Sequence, residues 1–283
     1  MTGAIGLLGT EVTTGASTFR VRGGFTGLYW KNPAARLSRA ARRLLRSELV
    51  PVAVDTFTGT TEDFWLEWLA DEKLDDLSGL VVVFDDGGRP VGWVAGNIRT
   101  FGGRTCFYAN SAGVHPDVQS LGLSSAMWRQ MLVKEIVRSA PRRLHAVMRT
   151  ANPLVYSAWA AAAGGIERAQ PSPITDVVPD DVLRIAADVA SHLGQLDRLD
   201  PATLVIRDAY ENTDNGLWLE RPTSAQQVVD DWMRSLLGPR DAVVLVVVFD
   251  PVPLMIREVA RQLLRRMGVA GWRSSRSSRG GAG

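Results

Sequence analysis

Hydrophobic and polar positions are most regular between residues 80 and 114. There "LVVVF" runs into the turn "DDGGRP", then "VGWVAGNIRTF", the pair Gly102-Gly103 and "RTCFYANSAGV". β-Branched and aromatic runs separated by glycine-rich turns predict three antiparallel strands in a meander, the third ending at Val114. After the loop "HPDVQSLGLS" the apolar spacing changes to that of a helix reaching about Arg138, and Pro141 marks a break. "RLHAVMRT" is a further strand, and "NPLVYSAWAAAAGG" is a short helix with Asn152 as cap, Pro153 in its first turn and Gly164 at its end. Strand, helix, strand in this order calls for a right-handed crossover and one parallel pair, so the sheet is mixed.

The flanks are less regular. "STFRVRGGFTGLYW" alternates as a strand with a glycine interruption. "NPAARLSRAARRLLRSEL" predicts a basic amphipathic helix capped by Asn32 with Pro33 in its first turn, and Thr60 with Asp63 resembles a capping box before "FWLEWLADEKL". Beyond Gly165, "DDVLRIAADVASHLGQL" reads as a helix, "ATLVIRDAY" as a strand and "TSAQQVVDDWMRSLL" as a helix capped by Thr223 or Ser224. "DAVVLVVVF" reads as a buried strand and "PLMIREVARQLLRRM" as a last helix. The expected organisation is a core over residues 1–170, an extension over 171–268 that completes the sheet or shapes a site, and a disordered basic tail over 269–283.

Composition narrows the function classes. The 283 residues are 46 % hydrophobic and 22 % charged, ordinary for a globular protein, and suffice to bury a sizeable core. A net charge of +2 makes nucleic acid an unlikely general partner, although Arg36, Arg39, Arg43 and Arg46 gather on one helix face. The longest apolar run, "AVVLVVVF", is far shorter than the roughly 20 residues of a membrane span. One cysteine, Cys106, and an N-terminus without a secretory pattern lead to the expectation of a cytoplasmic protein. The three histidines, His115, His145 and His192, lack the close pairing of a metal set, so no metal is expected.

The candidate chemistry lies in residues 114–132, "VHPDVQSLGLSSAMWRQML". Pro116 turns the chain out of the strand, Gly122 permits a positive φ or a close approach, and the amides around Ser120 to Ser125 open a helix. Unpaired N–H groups and the helix dipole together suit an anion there. The order of these elements and the spacing of Gln119, Gly122 and Ser124 resemble the GNAT superfamily of acyl-CoA-dependent N-acyltransferases over about residues 78–166. That resemblance implies an α/β (α+β) fold with a mostly antiparallel mixed sheet flanked by helices, here with a C-terminal α/β extension. It also implies acyl-CoA or acetyl-CoA as co-substrate, its diphosphate held by the backbone of Gln119, Ser120, Leu121, Gly122, Leu123, Ser124 and Ser125. The third meander strand and the next strand are expected to splay, with a bulge near "NSAG" and free backbone groups at Val114 for the pantetheine arm.

The resemblance further implies direct attack of an amine on a thioester, driven by proximity and by a strand amide that polarises the carbonyl. The frequent glutamate of the third strand is missing: the segment offers Tyr108, Asn110 and Ser111 instead. Trp159 stands where the family's tyrosine acid usually lies. Tyr156, one turn earlier on nearly the same face, is the nearest substitute, with Asn110 as the other catalytic candidate and Asn152 either a donor contact or simply a helix cap. Of the nine tryptophans, Trp65 and Trp68 fall where an acceptor wall is expected, and Trp93 and Trp128 flank the donor region. The acceptor is expected to be the primary amine of a small molecule or peptide. Alternatives are an acyl carrier protein docking on the arginine face to deliver a long acyl chain, an acyl-CoA sensor without turnover, an aminoacyl-tRNA acceptor, and a homodimer built on residues 171–268.

Overall fold

A computed structural model describes residues 12–252 and 256. The expected last helix over 253–267 and the basic tail lie outside the described residues, apart from residue 256. In chain order the elements are β1 (Ser17–Arg20), β2 (Thr26–Lys31), α1 (Arg39–Thr56), α2 (Glu62–Trp68), α3 (Asp71–Asp75), β3 (Gly79–Phe84), β4 (Pro90–Phe101), β5 (Arg104–Val114) and α4 (Leu123–Ser139). There follow β6 (Leu144–Thr150), α5 (Pro153–Ala163), β7 (Ala169–Gln170), α6 (Asp180–His192), β8 (Leu199–Asp200), β9 (Val205–Ile206), α7 (Gln227–Leu236) and β10 (Ala242–Phe249).

The strands form one sheet in the order β1-β2-β3-β4-β5-β6-β10-β9-β8, with β7 also paired to β10. Among the described residues only β5 and β6 are parallel, joined by the α4 crossover; the other pairings are antiparallel. The fold is therefore the mixed, mostly antiparallel α/β architecture expected from the meander and the crossover. Alternation along β3 sorts the core into two layers. Val81 and Val83 pack with Met127, Met131 and Ile136 of α4, while Leu80, Val82 and Phe84 pack with Leu45, Leu49 and Ala53 of α1. β10 is buried on both faces, which explains its unbroken run of apolar residues, and it lies beside β6.

Several local expectations are corrected. Asn32 does not cap a helix: it adopts a left-handed conformation (φ 50°), Pro33–Ala35 forms a single 3-10 turn, and α1 starts after Ser38, whose Oγ accepts from the Ala41 N–H at 3.1 Å. The helix then continues through Pro51 to Thr56, because Leu49, Val50, Val52 and Ala53 are buried and their packing outweighs the lost backbone bond. This extension carries Thr56 and Phe57 to the end of β5. Thr61, not Thr60, caps α2, accepting from the Phe64 N–H. Ser224 binds the Gln226 N–H one turn before α7 instead of capping the helix, and only Val205–Ile206 of "ATLVIRDAY" forms a strand.

Candidate active site

The site begins with two irregularities in β5. Ala95 pairs with Ser111 but Gly96 pairs with Ala109, so Asn110 is the extra residue of a β-bulge and its backbone is left without a β4 partner in register. On the other edge, β5 and β6 pair at Cys106–His145, Phe107–Ala146 and Tyr108–Val147 and then diverge. The His115 N–H donates to the Val91 carbonyl at 2.8 Å. By antiparallel alternation the N–H and C=O of Val114 therefore turn away from β4, toward the opening. Only part of that edge is free: the Val114 carbonyl accepts from Gln119 Nε2 at 3.0 Å and lies 3.2 Å from Thr56 Oγ1. Gln119 thus braces the strand end with its side chain.

At the mouth, Pro116–Leu121 forms a 3-10 helix and Gly122 takes φ 74°, a conformation that would strain other residues. Apart from Gly122 itself and its immediate chain neighbours, nothing crowds the place where a Cβ on Gly122 would stand. The Ala126 N–H opens the helical ladder, donating to the Gly122 carbonyl at 3.1 Å. The N–H groups of Leu123, Ser124 and Ser125 have no acceptor within the helix, which is the general property of a first turn. Open space, three amides and the positive end of a 17-residue helix fit an anionic diphosphate.

A cavity of about 1060 Å³ follows the divergence of β5 and β6. Its wall includes Gln119, Gly122, Ser124, Ser125, Trp128 and Arg129 beside α4, and Asn152, Val155 and Trp159 from α5. Thr56, Phe57, Trp65, Tyr108, Asn110 and Arg149 also line it, with His192, Tyr210 and Trp218 from beyond residue 165. The indoles of Trp128 and Trp159 meet edge to face at 5.2 Å. A smaller cavity of about 390 Å³ touches the same Trp218 and Pro222. Its Asp230 carboxylate is taken up by the Ser224 N–H and its Arg221 by the carbonyls of Leu237 and Gly238.

The residues singled out from sequence do not all converge. Asn110, Val114, Gln119, Gly122, Ser124, Ser125 and Asn152 line the cavity, whereas Ser120 and Leu121 are exposed outside its lining and the Leu123 side chain is buried in the core. Asn152 caps α5, its Oδ1 accepting from the N–H groups of Leu154 and Val155. Tyr156 is a correction: it is buried, packs on Trp232, and its hydroxyl donates to the Pro171 carbonyl at 2.8 Å, so it is absent from the cavity wall. Burial also pushes its hydroxyl pKa well up, with Ser172 acting in the opposite direction. Tyr156→Phe is expected to retain kcat and to lose about 1–3 kcal/mol of stability in urea denaturation, because a buried carbonyl loses its donor.

Other expectations resolve similarly. Cys106 is fully buried and its thiol is pushed up to about 11, chiefly by desolvation, which leaves it without nucleophilic character at neutral pH. Trp93 is buried with its Nε1–H on Ser111 Oγ at 2.9 Å, and the Trp68 side chain lies outside the described residues. His192 closes on Tyr108 at 5.7 Å between ring centroids. Partial desolvation lowers the pKa of His192, which keeps an exposed edge, and repulsion from Arg99 adds to it; burial raises that of Tyr108. No motif near the glycine turn could have announced His192, Tyr210 or Trp218. Among the described residues no cluster of three or more His, Cys, Asp or Glu is placed to hold a metal, and no helix is long and apolar enough to cross a membrane.

A mixed sheet that opens beside its one parallel pair, with a glycine-turned helix start at the mouth, is the architecture the sequence resemblance implies. Residues 33–153 match the family model described as acetyltransferase (GNAT) family. No curated protein matches the chain. Similar solved structures include a GNAT family acetyltransferase from Brucella melitensis in complex with acetyl-CoA, 17 % identical, covering 43 % of this chain and 74 % of that one at a TM-score of 0.32. A GCN5-related N-acetyltransferase from Kribbella flavida is 17 % identical over 42 % of this chain and 30 % of its own, at 0.33. The ribosomal-protein-S18-alanine N-acetyltransferase from Escherichia coli is 14 % identical over 44 % and 69 %, at 0.27.

Proposed function

We propose that the protein transfers an acyl group from acyl-CoA to a primary amine of a small molecule or peptide by direct attack in a ternary complex. The observation that carries this reading is the single cavity running from the amides at Gly122–Ser125 to the bulge at Asn110 and on to His192. The helix start holds the diphosphate. The pantetheine arm lies along the open edge of β5, between Val114 and the wall formed by Trp128, Val155 and Trp159. The N–H of Asn110, displaced from the β4 ladder, polarises the thioester carbonyl.

The amine enters from the side of Thr56, Trp65 and His192. Neutral His192, kept below the ordinary histidine range, accepts the proton of the incoming ammonium, and the free amine attacks the thioester carbon. The C–N bond forms, the C–S bond breaks, and the departing thiolate takes a proton from the neutral hydroxyl of Tyr108, which burial keeps protonated. The products are an amide and coenzyme A with its thiol restored. No covalent enzyme intermediate is needed, in keeping with the inert Cys106.

A panel of primary amines with acetyl-CoA, followed by free-thiol release and by mass of the acylated amine, tests the reading. Amine-dependent thiol release equal to amide formed is the expected result. Donor binding by calorimetry with no release across the panel would establish a sensor instead.

A further inference from the structure

Arg149 is one of three cations in the cavity wall, with Lys73 and Arg129, that the chemistry above does not use. It stands in β6 two residues beyond Val147, the last residue paired with β5, and so faces the opening across from the bulge. From Nη1 it donates to Gln195 Oε1 at 2.7 Å and to the Ala209 carbonyl at 2.8 Å. Its guanidinium stacks on the Tyr210 ring, 4.6 Å from the centroid. These contacts fix the group in place without neutralising it: among the described residues it has no carboxylate within ion-pair distance. The acid in the wall, Asp76, is ion-paired with Arg99. A half-buried guanidinium held by neutral acceptors is a preorganised receptor for a carboxylate, since its forked donors match two oxygens.

The same cavity wall carries a cluster of aromatic rings. Phe57 stands 5.0 Å from Trp65 and 5.4 Å from Trp218 between ring centroids, and all three line the cavity. A fixed cation and a cluster of rings in the wall of one cavity fit a molecule that carries a carboxylate and a large apolar group beside its amine. Resting on the acyltransfer reading above, we infer that the acceptor is an α-amino acid with an aromatic side chain. Its carboxylate binds Arg149 and its ring packs against Phe57, Trp65 and Trp218. Arg149 is then a specificity-determining residue that fixes the amine beside the thioester; it takes no proton.

The test compares L-phenylalanine, L-phenylalaninamide and phenethylamine as acceptors for acetyl-CoA, with wild-type protein, Arg149→Met and Arg149→Lys. Wild-type kcat/KM for phenylalanine should exceed that for the amide and for phenethylamine by about 10–100-fold, the worth of a charged hydrogen-bonded pair. Arg149→Met should abolish that preference with acetyl-CoA affinity unchanged, and Arg149→Lys should keep part of it. Equal wild-type use of the three amines, or a preference that survives in Arg149→Met, overturns the inference. If Arg149→Met does not fold, the wild-type preference and Arg149→Lys decide alone. If no amine is acylated, the acyltransfer reading fails. Arg149 is then judged by calorimetry of N-acetyl-L-phenylalanine against N-acetyl-L-phenylalaninamide on the protein with coenzyme A, where equal binding overturns the assignment.

Discussion

Ser124→Asp is expected to weaken acetyl-CoA binding about 100-fold, because a carboxylate placed about 4 Å from a diphosphate repels it by about 3 kcal/mol in a partly screened site. The same change should leave the fold intact. Ser124 is exposed in the first turn of α4, where an acidic side chain meets the positive end of the helix and stabilises it by about 0.3–1 kcal/mol. Thermal melting should therefore hold steady or rise while calorimetric affinity collapses. Ser124→Ala, which keeps the amide, should bind nearly as the parent does. Loss of binding together with loss of the fold would point to damage, and unchanged binding in Ser124→Asp would show that the anion lies elsewhere.

His192→Gln is the second large effect. Removing a positioned base should lower kcat/KM by about 10²–10⁴-fold, with acetyl-CoA affinity unaltered. The pH profile gives the sign. A base acts when deprotonated, and partial desolvation moves the His192 pKa below its ordinary 6.5, so more than half of it is active at that pH. Wild-type activity should persist as pH falls through 6.5 and be lost only at lower pH. The limb assigned to His192 should be absent from the glutamine variant. Rates and profile indistinguishable from the parent would remove His192 from the mechanism.

The sequence carried the centre of the fold better than its edges, for physical reasons. The meander, the β5–α4–β6 crossover and the Asn152-capped α5 rest on local signals that agree with one another: alternation, glycine turns, helical spacing and a cap. Gly122 was legible because a single residue type suits φ 74° at a helix start. Asn32 misled because a cap-like residue before proline is equally suited to a left-handed turn. Tyr156 failed on direction. Spacing placed it one turn from Trp159, but it took the rotation that meets Pro171, which nothing in its own helix encodes. His192, Arg149, Tyr210 and Trp218 were invisible as a group because the sheet order, with β10 returning beside β6, brings them to the cavity from separate segments.

The most direct measurement is a crystal structure of the protein with acetyl-CoA. The account requires diphosphate oxygens within hydrogen-bond distance of the N–H groups at Gly122–Ser125, and the thioester carbonyl at the Asn110 bulge between β5 and β6. A diphosphate bound away from α4, with the gap beyond Tyr108 and Val147 filled by side chains, would contradict it.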